Sequence, residues 1–369
     1  MSETQVANQT FNDDLMLSER DRDLARTSFP TLFPILDFPE LRLLFQKYDL
    51  QANHARKLRQ GAGVVAIILG VISLLAASAE PLYEGLDVRQ LALIGGFAAA
   101  CGIGSVAIGA AGVFDNRLKG QWLCGRLMTE RLRQFYFQLL VSHGPEILAG
   151  SGNIDRLSRT LSLRRQLFAR FRIAHEGRME GILQEVIADH EEEAFWLLED
   201  DESATPGAAN LAEYFAAYRL LRIEHQIQYA NFKLRREGRG SLMQKLKALS
   251  WISISAIATV LGLHLIIALA LMPAFSSWFA FAGSPAMHVG IVWTAIAALA
   301  ARALEEGLQP ARDVERYTRY RSVLARFLFH YDRSDEPGEK RRIMREVERV
   351  VYQEMRSFLV TTYDSRFIL

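Results

Sequence analysis

The sequence lacks several features that mark enzymes and secreted proteins. It has two cysteines, and because Cys101 lies in an apolar run and Cys124 in a basic flank, they predict no disulfide framework. Neither sign of charge is in excess, with 43 basic and 42 acidic residues, so we expect no direct nucleic-acid binding. No strand-like alternation persists, and no Walker-type loop or Ser/His/Asp set stands out. We therefore expect an all-α protein that is not an enzyme and uses no cofactor or metal.

What the chain does contain is four runs with almost no charge. They cover 61–79, 91–114, 250–272 and 286–304, the last interrupted only by Arg302. A helix that crosses a bilayer needs about 20 apolar residues, and each run reaches or approaches that length. The sequence therefore predicts four transmembrane helices in a lipid bilayer.

The distribution of Lys and Arg predicts how these helices are oriented. Five or six basic residues lie in each of four flanks, at 42–60, 115–134, 230–249 and 302–321. The loop at 80–90 has one basic residue and the loop at 273–285 has none. Because basic loops stay on the cytoplasmic side, we expect two hairpins in the bacterial inner membrane with both termini in the cytoplasm. The polar first 28 residues lack the apolar core of a signal peptide.

The segments between the runs are predicted to form a cytoplasmic helical bundle. The expected parts are an N-terminal segment (1–45), a first transmembrane hairpin with flanking helices (46–140), a cytoplasmic helical region and linker (141–209), a second hairpin with approach and exit helices (210–332) and a C-terminal amphipathic helix (333–369).

The second run contains the stretch GGFAAACGIGSVAIGAAG, in which Gly102, Gly104 and Ala107 match a dinucleotide-binding turn. That turn follows a strand and precedes, by about 20 residues, an acid that binds the ribose. Here the glycines instead lie inside a predicted membrane helix, where small residues four apart let helices approach closely. We therefore interpret Gly102, Gly104 and Gly109 as helix-packing residues.

The third run carries the polar residues that are candidates for a pore face or gate: Ser255, Thr259 and His264. We expect them, with Ser253, to lie within one broad sector of the helix. Ionisable groups in lipid usually face a protein interior or a water path. The alternative for His264 is a neutral imidazole that is hydrogen-bonded to a neighbouring helix.

The acidic stretch HEEEAFWLLEDDE at 190–202 raises the question of a metal site. His190 with Glu193 and Asp189 or Glu185 lies on one helical face, but the His-Glu-x-x-His spacing is absent. We interpret the stretch as a solvated acidic surface, suited to meet the basic approach helices.

Helices that flank the hairpins share a basic and aromatic pattern. The stretches are WLCGRLMTERLRQFYF after the first hairpin, YRLLRIEHQIQYANFKLRR before the second, and RYTRYRSVLARFLF and EKRRIMREVERVVYQEMRSFL after it. The residues that carry the pattern are Trp122, Arg126, Glu130, Arg133, Arg222, Gln226 and Tyr229.

These stretches resemble the SLATT family, bacterial two-transmembrane effectors associated with nucleotide second-messenger synthetases and SLOG sensor domains. The two hairpins imply a tandem or diverged member. The resemblance implies a homo-oligomeric pore or membrane-disrupting protein in anti-phage defence, triggered by a separate sensor or synthetase. The alternative is a non-conducting membrane-anchored scaffold whose cytoplasmic helices bind partner proteins. A transporter is less favoured, because paired intramembrane charges and broken helices are missing from the sequence.

Overall fold

The computed structural model describes residues 13–83, 85–111, 116–151, 153–188, 210–235, 242–272 and 280–364. Within these ranges the protein is all-helical and contains no strand, as predicted. The helices in chain order are α1 (Glu19–Ser28), α2 (Phe33–Leu36), α3 (Pro39–Ser78), α4 (Val88–Gly109), α5 (Asn116–Ser142), α6 (Gly144–Gly150), α7 (Ile154–His175), α8 (Met179–Ile187), α9 (Leu211–Tyr218), α10 (His225–Leu234), α11 (Leu242–Ala270), α12 (Pro285–Leu308), α13 (Pro310–Arg333) and α14 (Pro337–Asp364). A π-helical stretch, Arg219–Glu224, joins α9 to α10.

Among the residues that the structure describes, four helices are long and apolar enough to cross a membrane, which confirms that prediction by length and composition. They are α3, α4, α11 and α12, and they contain the four predicted runs apart from residues at the run ends. The first of them is longer than its run, because α3 begins at Pro39 and extends over 40 residues. Its N-terminal part is amphipathic and buries Leu41 and Phe45, so it belongs to a packed core and not to an apolar span.

Local sequence signals fix the ends of the apolar helices. At the start of α4 the Asp87 carboxylate accepts from the Gln90 backbone N–H at 2.7 Å, and the Gln90 side chain accepts from the Asp87 N–H at 3.2 Å. This reciprocal pair is a capping box. Helix α12 begins with Ser284 as its cap and Pro285 at its first position, and it ends where Gln309 adopts a left-handed conformation (φ 48°).

The chain forms two compact units. The bundle unit comprises Met1–Asn53, Gly120–Leu234 and Glu315–Tyr363, and the apolar-helix unit comprises His54–Lys119, Arg235–Val314 and Asp364–Leu369. Each unit therefore combines stretches that are far apart in sequence.

Helix α5 lies at the centre of the bundle unit. Leu123, Leu127 and Leu132 on this helix are completely buried. Its Phe135 ring lies 5.5 Å from the ring of Phe168 and 4.9 Å from that of Phe171, both on α7. Aromatic pairs at these distances add to the stabilisation from buried apolar area, so α5 is the helix around which this unit packs.

Hydrogen bonds between helices hold the apolar-helix unit together. The Ser73 hydroxyl on α3 donates to the Ala98 carbonyl on α4 at 2.8 Å, and the Ser105 hydroxyl on α4 donates to the Ala66 carbonyl at 2.7 Å. The Trp293 indole on α12 donates to the Leu75 carbonyl on α3 at 3.2 Å. Helix α11 packs along α12. Such bonds, together with small residues, are typical of helices that associate in lipid.

Candidate functional site

The polar residues of α11 lie on two different faces. Ser255 and Thr259, four residues apart, share one exposed face. His264 follows Ser255 by nine residues, which is about two and a half turns of helix, so it lies on the opposite side. The expectation of one broad sector is therefore wrong: His264 shares a side with Ser253, about three turns earlier.

The three candidate side chains bond to their own helix. The Ser255 hydroxyl lies 2.6 Å from the Trp251 carbonyl, and the Thr259 hydroxyl donates to the Ser255 carbonyl at 2.8 Å. The Nδ1 atom of His264 lies 2.8 Å from the Val260 carbonyl. Because a carbonyl only accepts, Nδ1 carries the hydrogen, which leaves Nε2 of a neutral ring as an acceptor. This bond is within α11, whereas the alternative prediction had His264 bonding to a neighbouring helix.

The glycines of α4 face α3 at different distances. A Cβ atom at Gly102 would lie 2.9 Å from the Ser73 hydroxyl oxygen. The corresponding distances are 3.5 Å from Gly104 to a Leu69 methyl carbon and 4.0 Å from Gly109 to the Ala66 Cβ. The closest approach is therefore at Gly102, next to the bond from Ser73 to Ala98, and it lies within one chain.

The acidic stretch adds no metal site to the described part of the chain. His190, Asp189 and Glu193 lie outside the described residues. Among the residues that the structure does describe, no group of three His, Cys, Asp or Glu side chains is arranged to hold a metal ion.

The bundle unit contains a buried charge network that the sequence only partly indicated. Its first part joins the π-helical stretch to α14. Arg222 and Glu348 are both 0% exposed, and the guanidinium donates two hydrogen bonds to the carboxylate, at 2.8 and 2.6 Å. The Tyr218 hydroxyl donates to the same carboxylate at 2.8 Å. Paired bonds of this kind fix both the distance and the orientation of the two groups.

The second part of the network surrounds the carboxylate of Asp14, in the segment that precedes α1. One Asp14 oxygen lies 2.7 Å from Nε of Arg133 and 3.9 Å from Nη1 of Arg222. The Gln226 amide donates to that oxygen at 3.1 Å. Asp14 therefore connects the N-terminal segment to α5 and α10.

Arg133 continues the network along α5. It donates to the Glu130 carboxylate at 2.7 Å, and Arg126 lies 2.5 Å from the same Glu130 oxygen. Three guanidinium groups, Arg126, Arg133 and Arg222, thus balance three carboxylates, those of Asp14, Glu130 and Glu348. A buried set of charges avoids a large desolvation cost only when it is paired in this way.

The arginines determine how the buried carboxylates ionise. Burial alone raises the pKa of Asp14, but the charges of Arg133, His225 and Arg222 outweigh it and hold that pKa below its usual value. Burial likewise raises the pKa of Glu130, and the charges of Arg126 and Arg133 lower it below normal. The neighbouring Asp13 behaves in the opposite way, since burial, and then the charge of Asp14, raise its pKa to about 7.

The network brings together most of the residues that carried the family resemblance: Arg126, Glu130, Arg133, Arg222 and Gln226. Trp122 lies outside it, in a ring contact with Phe358 at 6.1 Å. Tyr229 lies at its edge: its ring is 6.0 Å from that of Tyr317, and its hydroxyl interacts electrostatically with Arg126. Sequence reasoning missed Asp14 and Glu348. A signal for Glu348 was present, because it lies on the apolar face of α14 beside Met344 and Val351.

The part of the chain that the structure describes belongs to the class of helical proteins that combine four helices of membrane-spanning length with a second unit that packs around buried ion pairs. No protein-family model, no curated protein and no solved structure matches the chain.

Proposed function

We propose that the protein is a bacterial membrane effector of the SLATT type that assembles as a homo-oligomer and forms a pore or disrupts the membrane during anti-phage defence. In this proposal α3 with α4, and α11 with α12, form two hairpins in the inner membrane. The bundle unit and both termini are cytoplasmic. A separate sensor or nucleotide second-messenger synthetase supplies the trigger.

The observation that carries the proposal is the exposed polar face of α11. Ser255 and Thr259 lie on a side of this apolar helix that no described part of the chain covers. Each hydroxyl donates to its own helix and keeps lone pairs that accept from water. Four mostly apolar helices offer one chain too few polar faces to enclose water, so a pore requires several copies that present this face to a shared lumen.

The same hydrogen bonds support a second candidate, the membrane-anchored scaffold. A hydroxyl bonded to the preceding turn is already satisfied within its own helix, so it is tolerated in lipid without a water path. In that case α11 serves only as an anchor, and the bundle unit carries the function by binding partner proteins.

Conductance of the purified protein in planar lipid bilayers, with and without candidate cyclic nucleotides, separates the two. A pore predicts trigger-dependent current that S255L/T259L abolishes. The matched control is Ala268→Leu, an exposed position on another flank of α11. A folded, triggered oligomer that never conducts refutes the pore and favours the scaffold. In cells the pore predicts collapse of the membrane potential, whereas retained potential and exclusion of propidium contradict it.

A further inference from the structure

Helix α13 exposes a regular line of arginines. Arg319, Arg326 and Arg333 are spaced seven residues apart and are all exposed. At 1.5 Å per residue, each step along the helix is about 10.5 Å. A seven-residue repeat turns by only about 20° per step, so the three side chains form a stripe along one face. That face is opposite the buried face of α13, which includes Tyr320 and Leu324.

No described carboxylate lies within ion-pair distance of the three arginines in this stripe. The guanidinium of Arg333 instead lies 4.1 Å from the centre of the Phe329 ring. The neighbouring helix α14 differs. Its exposed Arg342 pairs with Glu339 at 2.7 Å, three residues earlier, and Arg349 pairs with Glu346 in the same way. These two α14 arginines are thus paired within their own helix, whereas the α13 stripe leaves three positive charges for another partner.

The sequence between Ala188 and Asn210 has the complementary charge. It holds no Lys or Arg and eight acidic residues: Asp189, Glu191, Glu192, Glu193, Glu199, Asp200, Asp201 and Glu202. The charge of this segment is therefore opposite to that of the stripe.

The point where this segment meets helix α9 places it within reach of the stripe. Helix α9 begins directly after Asn210, and the Phe215 carbonyl on α9 accepts from the Tyr331 hydroxyl on α13 at 3.0 Å. Arg219 binds Asp332, next to Arg333, at 2.6 and 2.8 Å. Glu202 precedes Asn210 by eight residues, which extend to at most about 28 Å. The acidic residues nearest Asn210 can therefore reach Arg326 and Arg333 in the same chain.

We propose that the acidic segment 189–202 binds the α13 arginine stripe within one chain. This interaction does not depend on whether the membrane helices conduct. Each exposed ion pair contributes little alone, but several pairs on a tethered segment act together, because the tether keeps the acidic groups at a high local concentration.

Disulfide trapping tests the contact without removing any charge. In full-length protein with Cys101→Ala and Cys124→Ala, reconstituted at one copy per zwitterionic nanodisc, Ser203→Cys is paired with Ser322→Cys, between Arg319 and Arg326. The control pairs Ser203→Cys with Ser158→Cys on α7, which is exposed between Arg156 and Arg159. Ser158 is also near the tether, since Asn210 bonds to Ser151 at 2.9 Å. We expect the Ser322 pair to oxidise at least tenfold faster, and 1 M NaCl to remove most of that advantage.

Reversing the charge of the arginines provides a second test of the same contact. R319E/R326E/R333E should lower the Ser322 oxidation rate at least tenfold, whereas R156E/R159E/R170E on α7 should leave it unchanged. Equal rates for the two pairs, insensitivity to salt, or dependence on the α7 arginines would each overturn the proposal. So would disulfides that fail to form at one copy per nanodisc and, in nanodiscs that hold two copies, form only between differently tagged chains, which would indicate a second copy as the partner. Binding of the stripe to anionic vesicles without the intrachain disulfide would assign it to lipid instead.

Discussion

Replacement of Glu348 by glutamine removes one negative charge from the centre of the bundle unit. Arg222 then remains buried with no carboxylate to receive its two short hydrogen bonds, and the Tyr218 hydroxyl loses a charged acceptor. Removal of one partner of a fully buried ion pair costs about 3–5 kcal/mol, because the remaining charge stays desolvated. We expect E348Q to lower the free energy of unfolding of the bundle unit by that amount.

Denaturant unfolding of the full-length protein in detergent, followed by circular dichroism, measures the effect. The matched control is Glu346→Gln on the same helix, which removes an exposed pair with Arg349 and should cost less than about 1 kcal/mol. A double variant, R222M/E348L, should be more stable than R222M alone or E348L alone, because it removes both charges of the pair and leaves neither of them unpaired. A loss below about 1 kcal/mol for E348Q, or strictly additive effects in the double variant, would refute this account of the network.

The remaining predictions concern pH and helix packing. The pKa of Asp13 is raised from 3.8 to about 7, so between those pH values the folded state binds a proton that the unfolded state does not bind. The free energy of unfolding should therefore rise as pH falls from 8 to 6, and D13N should abolish this rise. Burial lowers the pKa of His175 from 6.5 to about 4, so the contribution of His175 to stability falls as pH drops through that window. H175Q should therefore gain stability relative to the parent protein over the same range, in denaturation curves measured at each pH. G102V places atoms against the Ser73 hydroxyl and should cost about 1–3 kcal/mol in thermal unfolding, while G109A, with 4.0 Å of room, should be tolerated; equal effects would contradict the packing at Gly102.

The apolar helices were predictable because the signal is local. A run of about 20 residues without charge determines a membrane-length helix regardless of what it packs against. The start of α3 at Pro39 was not predictable from the run at 61–79, since the preceding residues are polar on one side and were expected only as a flank. Leu41 and Phe45 are buried by the other helices of the bundle unit, and the local sequence does not specify that packing.

The candidate sites were less predictable because their partners are distant in sequence. Asp14 and the Gln226 amide are separated by 212 positions, and Arg222 and Glu348 by 126. No periodic pattern links residues at such separations, and only the family-like spacing of Arg126, Glu130 and Arg133 indicated one part of the network. The error at His264 was different: nine residues do not make a whole number of turns, so helix geometry places it away from Ser255.

The π-helical stretch at Arg219–Glu224 has a consequence for how the chain tolerates insertions and deletions. A π turn holds one residue more than the α-helix around it, and each residue advances the helix by about 100°. Deletion of one residue here would let the segment rewind as an ordinary α-helix, which covers the same angle with one residue fewer. Gln226 would then still face Asp14, and Tyr214 and Tyr218 would stay in place. A deletion in the α-helical parts on either side has no such outlet and would rotate every later residue of the helix by about 100°, so the π-helical stretch is the place in this long helix where loss of one residue other than Arg222 should be tolerated best.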